Sequence, residues 1–521
     1  MSASNETVPG VSGGTATSGP APGGDKGDGK RFELSKRVTF VAVGQALAKV
    51  SQLVVGIILV RTLSDFDWSR IALVLLVYQT AVGLGGLNMH QSLYFFLGRL
   101  PREEKRSFVL QNVALLAASG IITALVVLIL SDSIGGGHFQ VAHLLPWVAL
   151  AILLEIPTLG IPELLIAAEK PGRAASVQAA LSLLQVFGVC IPIVAGAGLE
   201  GGVFGLLGYV AIRLVWFTYL VLTVTPPGHA RVLKGRWDEI PWARIKEQLA
   251  YVAPLALSLT VHLLNRNVDK WYIAWLAPDD FGIYTIAGTE VPVVSVVSSA
   301  LGAVLATRLV RAFRDGRIDY ARGIWMAGAS RMTLLVVPIT SAIIVAAPEI
   351  LSTMFTSSYL AATLPFQLWT CILFHRVAEY GVVLRASGDT RSLWWSTTLL
   401  FVSNAVFSLI GVLALGMVGA ALGTLLANAV SWWFILGRIG RAMHLRIRDI
   451  FPWRLWLTVL AVSGVAGAGA WLASWPVPAK LVIVSLIVKV AVFAVLYFAL
   501  SRAFGFRKRL PAVPDDTSSM E

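Results

Sequence analysis

The chain has 521 residues, of which 56% are hydrophobic and 14% charged, and its mean hydropathy is +0.74. A soluble domain carries about one quarter charged residues, so this composition excludes water as the main solvent. The net charge of +13 falls in short segments between apolar runs, where it reads as membrane topology and not as a nucleic-acid surface.

Residues 1–37 form a tail, rich in Gly, Ser, Thr and Pro up to Gly29, that buries too little apolar surface to fold. It lacks the basic, apolar, small-residue order of a cleaved signal peptide. Apolar windows of about 17 to 25 residues then predict six spans near 38–60, 70–96, 108–130, 141–167, 174–196 and 201–225. A polar linker, 226–246, separates them from six more near 247–270, 281–306, 327–347, 360–386, 391–414 and 417–437. Two accessory spans near 455–474 and 479–501 precede a tail, 502–521. The predicted class is an all-α polytopic membrane protein with about fourteen helices.

Basic residues sort the connections. Arg99, Arg102, Lys105 and Arg106 follow span two; Arg231, Lys234, Arg236, Arg244 and Lys246 follow span six; Arg438, Arg441, Arg446, Arg448 and Arg454 follow span twelve. Roughly three quarters of the Lys and Arg fall on this one side, which the positive-inside rule makes cytoplasmic, together with both termini. Arg308, Arg311 and Arg314, spaced by three, suit a helix lying on anionic headgroups.

Two segments of the first half recur in the second. Leu63-Ser-Asp-Phe-Asp-Trp-Ser-Arg-Ile-Ala72 resembles Leu276-Ala-Pro-Asp-Asp-Phe-Gly-Ile-Tyr-Thr-Ile-Ala287, and Ala167-Ala-Glu-Lys-Pro-Gly-Arg173 resembles Arg385-Ala-Ser-Gly-Asp-Thr-Arg391. Their similar offsets predict a duplicated six-span unit. Six is even, so the copies are parallel, giving an N-terminal bundle (38–225) and a C-terminal bundle (247–440) around a central cleft.

Charges at mid-bilayer are costly and face a wet cavity or a partner. In span one Gln45, Lys49, Gln52 and Gly56 fall on one helical stripe, and in span seven Ser258, His262, Asn265 and Asp269 do the same, with Arg266 beside His262. Arg213 lies within span six and Arg376 on span ten, where Glu379 and Tyr380 stand one turn further. Lys49, Arg213, Arg266 and Arg376 make a cationic set suited to an anionic ligand, because Arg binds phosphate bidentately and Lys as a point charge. The competing explanations are a polar seam between helices for the stripes and an intrahelical ion pair with Glu379 for Arg376. Lys489 reads as structural or snorkelling. The intramembrane carboxylates Glu155, Glu163, Glu290 and Glu379 are candidates for ion coupling, and Pro157, Pro162 and Pro292 are expected to kink their spans.

No nucleotide loop, HExxH or GxSxG motif is present. The two cysteines, Cys190 and Cys371, lie apart in apolar runs, so no enzyme, cofactor or metal chemistry is indicated.

The sequence resembles the polysaccharide-transport family of the multidrug/oligosaccharidyl-lipid/polysaccharide (MOP) exporter superfamily, the Wzx-type flippases. The resembling residues are Arg61-Thr-Leu-Ser64, Asp269, Asp280-Phe-Gly-Ile-Tyr284, Ala386-Ser-Gly-Asp389 and Gly416-Met-Val-Gly-Ala420, in an order that covers most of 38–440. Asp67-Trp-Ser stands in the first copy where Phe-Gly-Ile-Tyr stands in the second. The resemblance implies a flippase for undecaprenyl-diphosphate-linked oligosaccharides in the bacterial inner membrane. Its implied partners are a polysaccharide polymerase and a chain-length regulator. A lipid II flippase, a cation-coupled multidrug exporter and a non-transporting scaffold for glycan assembly are the alternatives.

Overall fold

The structure, a computed structural model, describes residues 53–224, 242–289, 294, 302, 305, 306, 308–478 and 480–512. Gln45, Lys49 and Gln52, most of the 226–246 linker, Glu290 and Pro292 lie outside the described residues. Every regular element among those described is helical. Nine helical segments among them are long and apolar enough to cross a bilayer, and the chain is a multi-pass membrane protein.

Two of the nine are hairpins. In Gly172–Thr223 the chain reverses at Gly196 and Gly198, with φ of 87° and 64°, so predicted spans five and six are its two arms. In Thr390–Ala442 the reversal is at Gly416, with φ 58° and ψ −138°, and the arms are spans eleven and twelve. Left-handed backbone at these points is what glycine permits and other residues resist. Gly411 and Gly419 then let the arms of the second hairpin touch: a Cβ on Gly411 would stand 2.1 Å from the Gly419 carbonyl oxygen.

Other spans depart from the predicted continuous helices. Span two begins at Asp65, earlier than hydropathy suggests, because the Ser64 hydroxyl accepts from the Asp67 backbone N–H at 3.1 Å and caps the helix. It stops at Gly85, and the rest of the predicted span is a short 3-10 turn, Met89–Gln91, and the helix Ser92–Leu97. Span four is broken into Leu145–Glu155, a 3-10 turn at Ile156–Thr158 and Ile161–Ala167. Pro157 and Pro162 stand at the break, as expected from the donors they lack. Span ten is broken in the corresponding place, into Thr363–Cys371, a 3-10 turn at Ile372–His375 and Tyr380–Ala386. Span seven is longer than predicted, Trp242–Leu276, and takes in the last residues of the linker.

The two recurring sequence segments have structural counterparts. Between spans four and five Glu169 has φ 60°, and between spans ten and eleven Gly388 has φ 80°, each just before the next helix. Asp389 then caps span eleven, accepting from the Ser392 backbone N–H at 3.2 Å and the Ser392 hydroxyl at 2.5 Å. The Ser-Gly-Asp segment is thus a turn followed by a helix cap.

The accessory helices, Trp453–Ser474 and Val482–Ala503, pack on each other and on span nine, Ile318–Val345. Lys489 does not snorkel. It is 5% exposed, and its Nζ lies 2.7 Å from Glu349 Oε1 and 3.2 Å from the Val345 carbonyl oxygen. Several tryptophans are also structural. Trp325, Trp453 and Trp456 donate their indole N–H groups to the carbonyl oxygens of Ile450, Ile447 and Phe374, tying the connection after span twelve to spans nine and ten.

Candidate functional site

The first polar cluster lies in the N-terminal half, at the break in span four. Pro157 interrupts the helix there, and the resulting turn brings Glu155 and Thr158 to the same side chain of span six, Arg213. The Arg213 Nη1 donates to Glu155 Oε1 at 2.8 Å and to the Tyr209 hydroxyl at 2.7 Å, while its Nε donates to Thr158 Oγ1 at 2.8 Å. Arg213 is 9% exposed and Glu155 5%. Arg213, expected in the cationic set for an anionic ligand, instead has its charge neutralised inside the bundle by Glu155. A buried pair of this kind is costly to break from one side, about 3–5 kcal/mol. Beside it, Glu163 Oε1 lies 3.9 Å from His90 Nε2. Glu163 Oε2, Glu155 Oε2 and His90 Nδ1 are buried without a hydrogen-bond partner.

The second cluster is in the C-terminal half and uses part of the span-seven stripe. Asp269 is fully buried, and Tyr284 donates its hydroxyl to Asp269 Oδ2 at 2.5 Å. Trp369 of span ten donates to the Tyr284 oxygen at 3.4 Å. One turn back along span seven, Asn265 accepts through its carbonyl oxygen and Oδ1 from Asn404 Nδ2 at 3.0 and 3.2 Å. Ser408 in turn donates to Asn404 Oδ1 at 2.8 Å. Asn265 and Asp269 therefore glue helices within the C-terminal half, and they do not share an open face with the rest of the stripe.

His262 and Arg266, separated by one turn, are exposed on span seven, and Ser258 is half-buried. Arg266 makes no hydrogen bond or ion pair with another described residue. Its helix is occupied elsewhere by packing on the span eleven–twelve hairpin and on span two.

Arg376 is also exposed, but in a different setting. The chain leaves the helix at Arg376, where ψ is 35°, and re-enters after Glu379, where ψ is 82°. Arg376 and Glu379 therefore do not lie one turn apart on a continuous helix. Glu379 packs on Gly302 of span eight, where a Cβ would come within 2.6 Å of its Cγ. Because Phe374 is bonded to Trp456 in the first turn of span thirteen, Arg376 stands towards that end of the bundle and not at mid-span. Lys49, Gln45, Gln52 and Glu290 lie outside the described residues.

The halves meet along spans two and seven. Trp68 donates to the Gly282 carbonyl oxygen at 3.0 Å near one end, and Asn267 donates to Thr80 Oγ1 at 3.3 Å further in. At the other end Gln248 donates to Ser92 Oγ and Asn112 Oδ1, both at 2.9 Å, and accepts from Gln111 at 2.8 Å. Arg244 pairs with Glu104 at that same end. Hydropathy did not single out these polar contacts, because Gln111, Asn112 and Gln248 sit at the polar edges of apolar windows. Tyr209 and Asn404 were missed as partners, although Tyr209–Arg213 and Asn404–Ser408 have the one-turn spacing that brings side chains together.

No protein-family model matches the chain, and no curated protein matches it in sequence. Solved structures do match it. The lipid II flippase MurJ in an inward closed conformation aligns with a TM-score of 0.68 at 13% identity, covering 89% of this chain and 99% of that one. An inward-facing multidrug resistance MATE transporter of the MOP superfamily aligns with a TM-score of 0.61 at 13% identity, covering 76% and 96%. A MOP superfamily transporter from Pyrococcus furiosus aligns with a TM-score of 0.52 at 12% identity, covering 78% and 96%. The chain thus has the fold of the MOP-superfamily transporters.

Proposed function

We propose that this protein is a flippase that carries undecaprenyl-diphosphate-linked oligosaccharide repeat units across the bacterial inner membrane, by alternating access through a cleft between two six-helix bundles. The observation that carries the proposal is Arg266, exposed on a crossing helix ten residues before its end at Leu276, with no partner among the described residues. Left in lipid, such a cation costs about 2.5–3.5 kcal/mol by insertion scales. Against a water-filled cleft it is stable, and there it suits the diphosphate of a lipid carrier. Lys49 is its proposed counterpart on span one, and Arg376 a secondary contact towards the end of the cleft. Arg213 leaves the ligand set because Glu155 already holds it.

The two bundles, 38–225 and 247–440, are supported by the matching breaks in spans four and ten and by the glycine-turned hairpins that follow each. With the linker and both termini on the basic side, that side is cytoplasmic. Polysaccharide assembly supplies the proposed partners, a polymerase and a chain-length regulator. A lipid II flippase is the second candidate, favoured by a match that spans 99% of MurJ and 89% of this chain. For ion coupling, Glu163 becomes the leading carboxylate, since Glu155 is held by Arg213 at 2.8 Å while Glu163 faces His90 at 3.9 Å.

Complementation of flippase-deficient strains tests the proposal, with membrane levels measured in parallel. Lys49→Ala and Arg266→Ala are expected to abolish function at normal levels, and Lys49→Arg to retain part of it. Rescue of an O-antigen flippase strain but not a lipid II flippase strain distinguishes the two substrates. Full activity of the Lys49→Ala/Arg266→Ala double variant contradicts the cationic cleft.

A further inference from the structure

We infer that the basic end of the span eleven–twelve hairpin is a binding site for the headgroup of an anionic glycerophospholipid. Arg391, Trp395 and Leu399 on one arm, with Phe434 and Arg438 on the other, line an open recess of about 390 Å³. The spacing of four along each arm keeps these side chains on one face. Both arginines stand at the hairpin end far from the Gly416 turn, and Leu399 and Phe434 lie deeper. The order from end to centre is cation, tryptophan, aliphatic and phenyl, which is the order of groups that a phospholipid presents from phosphate to acyl chain.

The two arginines play different parts. Arg438 is fixed in place: its Nε donates to Ser392 Oγ at 2.5 Å, its Nη2 lies 3.6 Å from Asp389 Oδ2, and its guanidinium stands 5.9 Å from the Phe434 ring centroid. Arg391 is exposed and makes no hydrogen bond or ion pair with another described residue. It also occupies the first turn of its helix, where the helix dipole disfavours a cation. Asp389 is already engaged by Ser392 and Arg438, so the recess carries a net positive charge. An external phosphate supplies the counter-charge that neither the helix nor a neighbouring side chain provides. Trp395, 46% exposed, gives the same ligand an interfacial aromatic wall.

The test uses the full-length protein, delipidated in detergent and titrated with phosphatidylglycerol or phosphatidylcholine, with bound lipid read by native mass spectrometry. Phosphatidylglycerol is expected to bind about five- to ten-fold more tightly than phosphatidylcholine, the scale of one or two interfacial cations. Arg391→Gln should abolish that preference while the lipid-free Tm stays unchanged, and Arg391→Lys should keep most of it. Equal binding of the two lipids by the unmodified protein overturns the inference. An undiminished preference in Arg391→Gln overturns it as well. Displacement of phosphatidylglycerol by equimolar glycerol phosphate would show a free-phosphate site in place of a lipid site.

Discussion

Arg213 and Arg266 both lie inside apolar helices, one in each half of the molecule, and they meet opposite fates. Arg213 is enclosed by Glu155, Tyr209 and Thr158, whereas Arg266 is exposed and makes no such contact with a described residue. The difference does not come from their own helices, since both stand at similar remove from polar ends. It comes from span four, where a proline-broken turn delivers a carboxylate to Arg213. An intramembrane cation is therefore a question about its neighbours: paired, it holds the fold together, and left open, it is available to a ligand.

The largest expected effect breaks the paired side. Glu155→Gln or Arg213→Ala should lower stability by about 3–5 kcal/mol, because the surviving partner is left charged and buried. Thermal unfolding in detergent and membrane levels measure this, and a Tm close to that of the unmodified protein would count against a structural role for the pair. The second effect concerns the accessory helices. Lys489→Met should destabilise by about 3 kcal/mol and weaken the docking of span fourteen, while Lys489→Met/Glu349→Leu should recover most of the loss. If the double variant is no better than the single, the clamp is not the ion pair. Smaller again is Gly416→Ala, expected to cost about 1–2 kcal/mol through left-handed strain at the hairpin turn. Unchanged stability there would mean that the turn relaxes to another conformation.

The smallest effect sharpens the contrast from outside the bilayer. Hydrogen bonds from Ser392 and the nearby Arg438 charge hold the Asp389 carboxyl below the usual carboxylate range. Its contribution is therefore present above the unfolded value and lost as pH falls through the lower folded one. Asp389→Ala should cost about 1 kcal/mol at neutral pH, with the difference from the unmodified protein shrinking in acid. Equal acid sensitivity of the two proteins would contradict the cap.

Much of the fold was legible because hydrocarbon thickness sets span length and because glycine marks reversals. Apolar windows found both hairpins, and the proline rule anticipated the break in span four. The break in span ten was not legible, since no proline lies between Cys371 and Glu379 to announce it. Boundaries failed where a side chain decides them, as at Ser64, which starts span two early. The candidate site was legible as a list of residues that do not belong in lipid, but not as a set of partnerships. Asp269 and Asn265 looked like cavity residues on a helical wheel, yet Tyr284 and Asn404, distant in sequence, turn them into packing contacts. Glu155 and Arg213 were both noticed, but nothing in their spacing links spans four and six.

The most direct test of Arg266 as an open cleft cation is chemical accessibility at its position. In a background with Cys190 and Cys371 replaced, Arg266→Cys and the exposed span-six control Ile212→Cys are treated with a charged, membrane-impermeant thiol reagent in inverted vesicles. The account predicts fast modification at 266, slowed by added undecaprenyl diphosphate, and little reaction at 212, which is expected to face lipid. Arg266→Cys reacting as slowly as Ile212→Cys, in vesicles of both orientations, would place Arg266 out of reach of water and contradict the cationic cleft.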